Sequence, residues 1–460
     1  MKEIFKAYDI RGEYGTELTD DLAYRTARAT VRFLKKDANL ETITIALGRD
    51  MRLSSPTLHA RVLEGLCSEG ANVVDFGLVS TPAFYFGVAS EGVDAGVMVT
   101  ASHNPGKDNG IKIVRRGAMP VGSDSGLFEI RDMALETEFP PVAEDAFGTV
   151  TEKTDIVERD VDFAFDFCGG HDAVTQRVKP LKVVIDAANA MGATYLKATF
   201  AKLPCEVIEL NTELDGSFPS HEADPFHEAN NAQLEAAIRE HGADFGVATD
   251  GDGDRIFFFD NTGTMIAPAI VRGLMAEIML AEHPGATICY DIRPGKITRD
   301  MIVAAGGRPV VTRVGHSFIK ATAIAEDAVF AGESSGHLFV RTELGTFETP
   351  VIVLLKLLER FSNGEGTIDA QVAPYRKYIH SGEINSIVED KDAAMARVKE
   401  VYGAAADSVD EMDGITITYP DFWFNVRGSN TEPKLRLNLE ATSAAVCKEK
   451  TDEVLALIRQ

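Results

Sequence analysis

Short apolar runs separated by helix-like stretches recur along most of the chain. They fall into three groups, at 42–47, 71–76 and 96–100, at 181–186, 205–210 and 245–248, and at 287–292, 308–312 and 328–332. Each group predicts a strand, a helix, a strand, a helix and a strand, followed by a polar loop. Such alternation is typical of βαβ units with parallel or mixed sheets. Its threefold repetition predicts three related domains.

The chain from about Tyr375 onward follows a different pattern. Residues 413–426 and 434–441 alternate between apolar and polar positions, which predicts strands half exposed to water. Residues 392–405 and the last fifteen residues have the spacing of amphipathic helices. The predicted fold is therefore α/β, with three related domains that have mixed sheets and a C-terminal α+β domain. We expect domains at 1–150, 151–262, 263–372 and 373–460.

Composition and net charge count against several classes of binding partner. The 460 residues include 71 acidic and 46 basic side chains, and the net charge of −25 opposes non-specific binding to nucleic acid or anionic membranes. The longest apolar run, at 351–358, contains Lys356 and is too short to cross a bilayer. The five cysteines form no Cys-x-x-Cys pair, which favours reduced thiols. We expect a cytoplasmic protein with no nucleic-acid or membrane partner.

The sequence "TDGDGDR", residues 249–255, is the strongest chemical signal in the chain. Asp250, Asp252 and Asp254 follow an apolar strand and alternate with glycines that allow a tight bend. Two carboxylates about 4 Å apart repel by about 4 kcal/mol at an effective dielectric of about 20, so three need a cation. Oxygen ligands without sulfur or imidazole favour magnesium or calcium. An EF-hand is excluded because Arg255 stands where its glycine belongs.

A second polar loop, "TASHNP" at 100–105, follows a strand in the same way. Ser102 and His103 are therefore expected at the carboxyl end of that strand, where open α/β sheets bind ligands. Ser102 is either a turn-forming serine or a nucleophile that carries phosphate. Lys112 alternates with the apolar Ile111 and Ile113 and is expected to face away from the core.

Two further loops have weaker signals. In "GESSGH" (332–337), Glu333 and Ser335 have the spacing to bind vicinal sugar hydroxyls, and His337 could move protons. In "RGSNTEPKLR" (427–436), one guanidinium and several small polar groups suit a phosphate, although an ordinary turn fits equally well. The chain has no Walker A loop and no Gly-x-Gly-x-x-Gly after a strand, which counts against nucleotide hydrolysis and nicotinamide chemistry.

Taken in order, these motifs resemble those of the bacterial phosphomannomutase/phosphoglucomutase group of the α-D-phosphohexomutase superfamily. The resemblance is carried by "KAYDIRG" (6–12) and by the four loops above, and it covers essentially the whole chain. It implies reversible phosphoryl transfer between C1 and C6 of mannose or glucose phosphate, through a phosphoserine and a hexose 1,6-bisphosphate. It further implies Mg²⁺, glucose or mannose 1,6-bisphosphate as activator, hexose phosphates as partners, and a monomer or weak homodimer. For the fold, it implies four domains around a central active-site cleft.

The same resemblance implies roles for individual residues. Ser102 would carry the phosphoryl group and, with the three aspartates, hold the metal. Arg11 and Lys112 would assist proton and phosphate handling, and His337 would be a general acid or base. The expected substrate contacts are Tyr8, Arg255, Arg293, His316, Glu333, Ser335, Arg427, Ser429, Asn430 and Thr431.

Some positions depart from the family pattern and bear on sugar choice. Ser334 replaces the methionine of dual-specificity mutases, and Arg293 stands where lysine is usual. The segment after His337 also matches less well. A phosphoglucosamine mutase is the nearest alternative, although "KAYDIRG" and Gly253 favour mannose or glucose phosphates. A haloacid-dehalogenase-type phosphatase would leave Ser102 without a role, and a binding protein without turnover is the non-enzymatic alternative.

Overall fold

The computed structural model describes residues 2–136, 138–293, 295–428 and 434–460. The chain divides into two compact units. The first comprises Met1–Ile266 and Gly336–Asp369, and the second comprises Ala267–Ser335 and Ala370–Gln460. Within the described ranges, no helix combines the length and apolar character needed to cross a membrane.

The first domain is built on a mixed sheet in the order β1-β5-β4-β2-β3-β7, with β6 beside β5. Strands β2, β3 and β4 are parallel, and β5 returns antiparallel to β4. The elements are β1 (Ile10–Glu13), α1 (Asp20–Ala38), β2 (Ile43–Arg49), α2 (Ser55–Ser68), β3 (Ala71–Leu78), α3 (Thr81–Ser90), β4 (Ala95–Val99), β5 (Asp108–Arg115), β6 (Met119–Pro120), α4 (Phe128–Glu136) and β7 (Val150–Glu152). All five residues of β4 are buried, as expected of an interior strand.

The second domain has a four-stranded sheet in the order β11-β10-β8-β9. Its elements are α5 (Ile156–Phe167), α6 (His171–Arg177), β8 (Lys182–Asp186), α7 (Gly192–Phe200), β9 (Glu206–Leu210), α8 (Ala232–His241), β10 (Phe245–Thr249) and β11 (Ile256–Phe259). Strand β10 is parallel to β8 and buried throughout, and β11 turns back antiparallel to it.

The third domain supplies elements to both units. In the second unit, β12 lies between β13 and β14, parallel to both. The elements there are α9 (Pro268–Glu282), β12 (Thr287–Asp291), α10 (Lys296–Ala304), β13 (Arg308–Thr312), α11 (His316–Ala325) and β14 (Phe330–Gly332). The chain then contributes β15 (Leu338–Thr342), β16 (Gly345–Glu348) and α12 (Pro350–Asn363) to the first unit, and α13 (Ile368–Val372) spans the boundary.

The fourth domain is an antiparallel sheet in the order β17-β22-β21-β20-β19, with β18 also beside β22. Its elements are β17 (Ile379–His380), β18 (Ile384–Ile387), α14 (Lys391–Tyr402), β19 (Ser408–Asp410), β20 (Ile415–Thr418), β21 (Phe422–Gly428), β22 (Lys434–Ala441) and α15 (Ala444–Ile458). The expected half exposure is wrong for β21, because its residues from Phe422 to Arg427 are all buried. It is also wrong for the second half of β22, because Leu437 to Ala441 are all buried. A polar position of β21 is buried with a partner at Asn425, whose Nδ2 donates to the Asp413 carbonyl at 2.9 Å.

One strand order recurs in the three α/β domains. The orders β4-β2-β3, β10-β8-β9 and β14-β12-β13 each place the first strand of the group at the centre. The third strand then lies beside it and is followed by a polar loop. The expected α/β plan with a C-terminal α+β domain is confirmed. Ligands of such sheets bind at the carboxyl ends of the strands, where these loops lie.

Candidate active site

Ser102 lies on the turn that follows β4 and is 1% exposed. Its φ of 53° is in the left-handed region, which few residues other than glycine adopt, so the surrounding contacts must hold it there. The Ser102 amide donates to Thr100 Oγ1 at 2.9 Å, and the Ser102 hydroxyl donates to Asp250 Oδ2 at 2.9 Å. His103 Nδ1 lies 3.2 Å from the same hydroxyl oxygen. The hydroxyl therefore points at the aspartate loop.

The three aspartates of that loop converge as their spacing predicts. Carboxylate oxygens of Asp250, Asp252 and Asp254 lie within 4.8 Å of one another, and all three residues are buried. Gly251 allows the two loops to approach, because a Cβ there would lie 2.2 Å from the Ser102 carbonyl oxygen. Gly253 supplies the bend with a φ of 78°.

The charges of the loop are unevenly balanced. Burial, together with the charges of Asp254 and Asp252, raises the pKa of Asp250 to about 8. Burial would also raise the pKa of Asp254, but the cation of Lys112, supported by that of Arg255, outweighs it and holds that pKa well below its usual range. Asp252 Oδ1 and Asp254 Oδ1 are buried and make no hydrogen bond to the described residues. Buried acceptors of this kind suit a hard divalent cation.

Lys112 neutralises part of this cluster. Its Nζ lies 2.7 Å from Asp252 Oδ2 and 2.7 Å from Asp254 Oδ2. Burial lowers the pKa of this amine, but the two carboxylates raise it well above its ordinary value, so the amine is charged. The Lys112 side chain lies on the face of β5 opposite to the face that carries Ile111 and Ile113, as the alternation along a strand requires. Even so, Lys112 is only 5% exposed.

Arg11 of β1 and Arg255, at the end of the aspartate loop, bring two guanidinium groups to the cluster. Arg11 donates through Nε and Nη2 to Asp9 Oδ2, and through Nη1 to Asn104 Oδ1 at 2.9 Å. It therefore contacts the turn that carries Ser102. Arg255 Nε lies 3.8 Å from Asp250 Oδ2 and donates to His337 Nε2 at 3.1 Å. Tyr8, also in the first unit, is half-buried.

His337 enters the same cluster from the start of β15. Its Nδ1 lies 3.6 Å from Asp254 Oδ1 and 3.6 Å from Glu348 Oε1. Because Arg255 donates to Nε2, a neutral His337 carries its proton on Nδ1, facing the two carboxylates. Glu348 belongs to the segment that matches the family less well, and sequence reasoning missed it.

Thr81 and Arg52 were also missed. The Thr81 hydroxyl donates to Asp252 Oδ2 at 2.7 Å, and the Thr81 amide donates to the Asp252 carbonyl at 3.0 Å. Arg52 donates to the backbone of the Ser102 turn. Arg52 lies in "GRDMR" (48–52), at the carboxyl end of β2, just as the Ser102 turn lies at the carboxyl end of β4. This position at the ligand-binding edge of the sheet was the sequence signal that could have pointed to Arg52.

The second unit contains the predicted sugar-binding residues. The Ser335 hydroxyl donates to Glu333 Oε2 at 3.1 Å, and the Gly315 amide, next to His316, donates to Glu333 Oε1 at 2.7 Å. Arg293 Nη2 lies 3.4 Å from Glu333 Oε1 and 3.3 Å from Ser335 Oγ. The structure thus groups Arg293, Glu333 and Ser335, with His316 beginning the adjacent helix.

Ser334 makes its hydrogen bonds in a buried network around Asp291 and not to Glu333 or Ser335. Its amide and hydroxyl donate to Asp291 Oδ1 at 3.1 Å and 3.0 Å. Asp291 also forms ion pairs with Arg272 and Arg293. The serine is therefore explained locally as a small donor to a carboxylate that two guanidinium groups share.

Arg427 of β21 is 6% exposed and donates to Glu383 Oε2 at 3.0 Å. Burial would raise the pKa of Glu383, but the cations of Arg427, Arg436 and Arg293 keep that pKa below its ordinary value. The other predicted phosphate ligands, Ser429, Asn430 and Thr431, lie outside the described residues.

Comparison with known proteins decides the family. Four phosphoglucomutase/phosphomannomutase models match in order: alpha/beta/alpha domain I at residues 2–140, domain II at 159–263, domain III at 268–378 and the C-terminal domain at 383–457. The chain belongs to the phosphoglucomutase/phosphomannomutase family. The resemblance seen in the motifs is thereby confirmed, and the chain is a phosphohexomutase. The exact domain boundaries expected from the sequence stay predictions.

Individual members of the family match over nearly their whole length. A phosphomannomutase of Salmonella typhimurium strain LT2 is 39% identical over 466 residues, covering 99% of each chain. A Xanthomonas campestris pv. campestris (strain B100) protein described as phosphohexose mutases is 40% identical over 458 residues, again covering 99% of each. The crystal structure of a phosphoglucomutase/phosphomannomutase family protein from Burkholderia thailandensis superposes with a TM-score of 0.88 at 31% identity, covering 100% of this chain and 97% of that one.

The geometry suits the chemistry of a phosphohexomutase. Phosphoryl transfer depends on alignment and charge neutralisation more than on covalent chemistry by the protein. The first unit provides a hydroxyl, three carboxylates and several cations within a buried cluster. The second unit provides a carboxylate, hydroxyls and guanidinium groups, which are suited to polyhydroxylated, anionic ligands.

Proposed function

We propose that this phosphohexomutase interconverts the 1-phosphate and 6-phosphate of mannose or glucose through a phosphorylated Ser102. The observation that carries the proposal is the Ser102 hydroxyl, which lies 2.9 Å from Asp250 Oδ2 at the edge of the three-carboxylate cluster. A serine that served only as a turn former would have no reason to be buried against three acidic side chains.

The aspartates and Ser102 are assigned to hold Mg²⁺. When bound, this ion supplies charge neutralisation for the transferring phosphoryl group. The Asp252 and Asp254 oxygens that make no hydrogen bond to any described residue support the assignment. Lys112 and Arg255 add fixed positive charge around the same carboxylates.

In the first half-reaction, the bond between Ser102 Oγ and phosphorus breaks, and a bond forms between phosphorus and the free hydroxyl oxygen of the sugar. His337 is assigned to take the proton of that hydroxyl. The Ser102 oxygen keeps the electron pair of the broken bond, and the positive charge held at the cluster would neutralise it until the second half-reaction. There the bond between the other phosphorus of the hexose 1,6-bisphosphate and its sugar oxygen breaks, and a bond forms between that phosphorus and Ser102 Oγ. His337 returns the proton to the sugar oxygen that has lost its phosphate. Arg11 stabilises the Ser102 turn throughout.

Groups of the second unit are assigned to the rest of the substrate. Glu333 and Ser335 would bind sugar hydroxyls, with Arg293, His316 and, from the first unit, Tyr8 as further contacts. Arg427, Ser429, Asn430 and Thr431 would grip the phosphate that is not reacting. Because the bisphosphate must present either end to Ser102, these groups have to accept both phosphates. Glucose or mannose 1,6-bisphosphate would prime the enzyme by phosphorylating Ser102.

A phosphorus NMR time course tests the proposal. The purified protein is mixed with Mg²⁺, a trace of glucose 1,6-bisphosphate, and glucose 1-phosphate or mannose 1-phosphate. Conversion of the anomeric signal to a 6-phosphate signal is expected, and the rates rank the sugars. Release of inorganic phosphate would favour a phosphatase. Glucosamine phosphate as the only converted sugar would overturn the sugar assignment. The Ser102→Ala variant is expected to fold and to lose turnover, and full activity of that variant would refute the phosphoserine.

A further inference from the structure

Arg52 is fully buried and binds one loop through its backbone. Its Nη2 donates to the carbonyl oxygens of Ser102 at 2.7 Å and Asn104 at 2.6 Å. Its Nη1 donates to those of Pro105 at 2.7 Å and Asp108 at 2.9 Å. One guanidinium therefore satisfies four carbonyls of the segment that carries Ser102. Ser102 is buried, and a buried carbonyl without a donor is costly, so the turn depends on this side chain for its course.

The guanidinium is itself held in place from two sides. Asp50 Oδ2 lies 3.2 Å from Arg52 Nε, and Asp50 Oδ1 accepts from the Arg52 amide at 3.0 Å. The ring of Phe218, from the second domain, lies 5.1 Å from Arg52 Cζ. Gly216 allows this approach, because a Cβ there would lie 2.6 Å from Arg52 Cα. The Asp50 carboxylate and the Phe218 ring thus fix the orientation of the planar Arg52 guanidinium.

The conformation of Ser102 requires such support. Its φ of 53° is unfavourable for a serine, and in that conformation its hydroxyl donates to Asp250. Arg11, which lies in β1, donates to the Ala101 carbonyl at 3.2 Å. The carbonyls of Ser102 and Asn104 accept instead from Arg52. Arg52 thus holds the carbonyl of Ser102, while the Thr100 hydroxyl accepts from its amide.

We propose that Arg52 is a positioning residue for phosphoryl transfer, which fixes the direction of Ser102 Oγ through four backbone hydrogen bonds. The proposal rests on the assignment of Ser102 as phosphoryl carrier. It predicts that the loss of the planar fork lowers the rate of transfer without weakening substrate binding. A small displacement of a reacting group is sufficient to cost about 10²-fold in rate.

The test compares Arg52→Lys with Arg28→Lys. Arg28 is a matched control, because it is 1% exposed, lies in the same domain, and binds Glu69 and the Pro140 carbonyl at a distance from the Ser102 turn. Lysine keeps the charge in both variants but cannot reproduce the fork. For Arg52→Lys we expect kcat to fall by about 10²-fold with KM changed by less than about 3-fold, whereas Arg28→Lys keeps kcat within about 2-fold.

Two further measurements separate positioning from stability. Hydrogen exchange of residues 101–108 is expected to rise in Arg52→Lys and not in Arg28→Lys. Faster exchange with an unchanged kcat would overturn the proposal, and so would an equal loss of kcat in both variants. If Arg52→Lys does not fold, Phe218→Ala serves instead, since it removes the ring over the guanidinium and leaves the hydrogen bonds. Its kcat is expected to fall at constant KM, and an unchanged kcat would count against positioning.

The Ser102→Ala variant distinguishes this proposal from the function on which it rests. If Ser102→Ala keeps its turnover, the phosphoserine assignment fails whatever the Arg52 variants do. If Ser102→Ala is inactive and Arg52→Lys turns over like the unmodified chain, only the positioning role is refuted.

Discussion

Replacing Lys112 with methionine tests whether this lysine and a divalent cation neutralise the same carboxylates. The Lys112 amine lies 2.7 Å from one oxygen of Asp252 and one of Asp254, and all three side chains are buried. At an effective dielectric of about 20, each such contact, 2.7 Å long, is worth about 6 kcal/mol before desolvation is subtracted. Breaking a buried ion pair by removing one partner costs about 3–5 kcal/mol, which is the loss we expect for metal-free Lys112→Met.

Magnesium should restore most of that stability. A bound divalent cation would take over the neutralisation of Asp252 and Asp254, so the variant has more to gain from the ion than the unmodified chain. The measurement is native-state hydrogen exchange of peptides from β4 and β10, with Mg²⁺ and with a chelator, because these strands report on the first unit. Lys356→Met is the control, since Lys356 is 7% exposed in the same unit but lies 5.6 Å from the ring of Phe167.

The two outcomes are clearly separated. We expect the loss in Lys112→Met to shrink when Mg²⁺ is added, while the loss in Lys356→Met stays the same. An equal loss in Lys112→Met with and without Mg²⁺ would show that the lysine and the ion do not share their carboxylates. The assignment of Asp252 and Asp254 as metal ligands would then be refuted, because it requires the ion to neutralise these two carboxylates.

Three further predictions follow from contacts described above. Thr81→Val removes a donor to Asp252, and we expect the Mg²⁺ concentration for half-maximal activity to rise about 10-fold; an unchanged magnesium titration would contradict this. Burial raises the pKa of Asp160 to about 7, so the folded chain keeps a proton that the unfolded chain releases near pH 4. The contribution of this group to the free energy of unfolding therefore falls as the pH rises from about 4 to about 7. Asp160→Asn should remove that decline and stabilise the chain by up to about 4 kcal/mol at pH 8, as measured by denaturant unfolding across that range. Ser334→Ala removes a donor to Asp291 and should cost about 1 kcal/mol of stability while leaving the ratio of mannose to glucose turnover unchanged; a shifted ratio would place this serine at the sugar.

The sequence predicted the elements and the loops well, because both depend on local patterns. Alternating apolar runs specify buried strands, and the Asp-Gly repeat specifies a bend of closely spaced carboxylates. The convergence of Asp250, Asp252 and Asp254 followed from that spacing alone, and it is found in the structure. The approach of Ser102 to Asp250 followed from the family resemblance, since the two loops are 148 residues apart.

The supporting contacts could not be predicted, because they depend on packing between distant segments. The position of Arg52 at the carboxyl end of β2 indicates only that it lies at the ligand-binding edge of the sheet. Its bonds to the 102–108 segment follow from the course of that segment beside it. The same holds for Thr81, whose hydroxyl meets a carboxylate 171 residues away. Strand β21 was misjudged because alternation shows which positions are polar but not whether those positions find buried partners.

The repeated strand order has a consequence for how such an enzyme can change. In each of the first two domains, a strand that is buried along its whole length ends where the loop with the proposed catalytic or metal-binding residues begins. Substitutions in that loop therefore need not disturb the packing of the sheet, and substitutions in the strand need not alter the chemistry. Natural selection can act on the two almost independently. One ancestral sheet, copied along a chain, could thus acquire a phosphate carrier in one copy and a metal site in the next without losing its ability to fold.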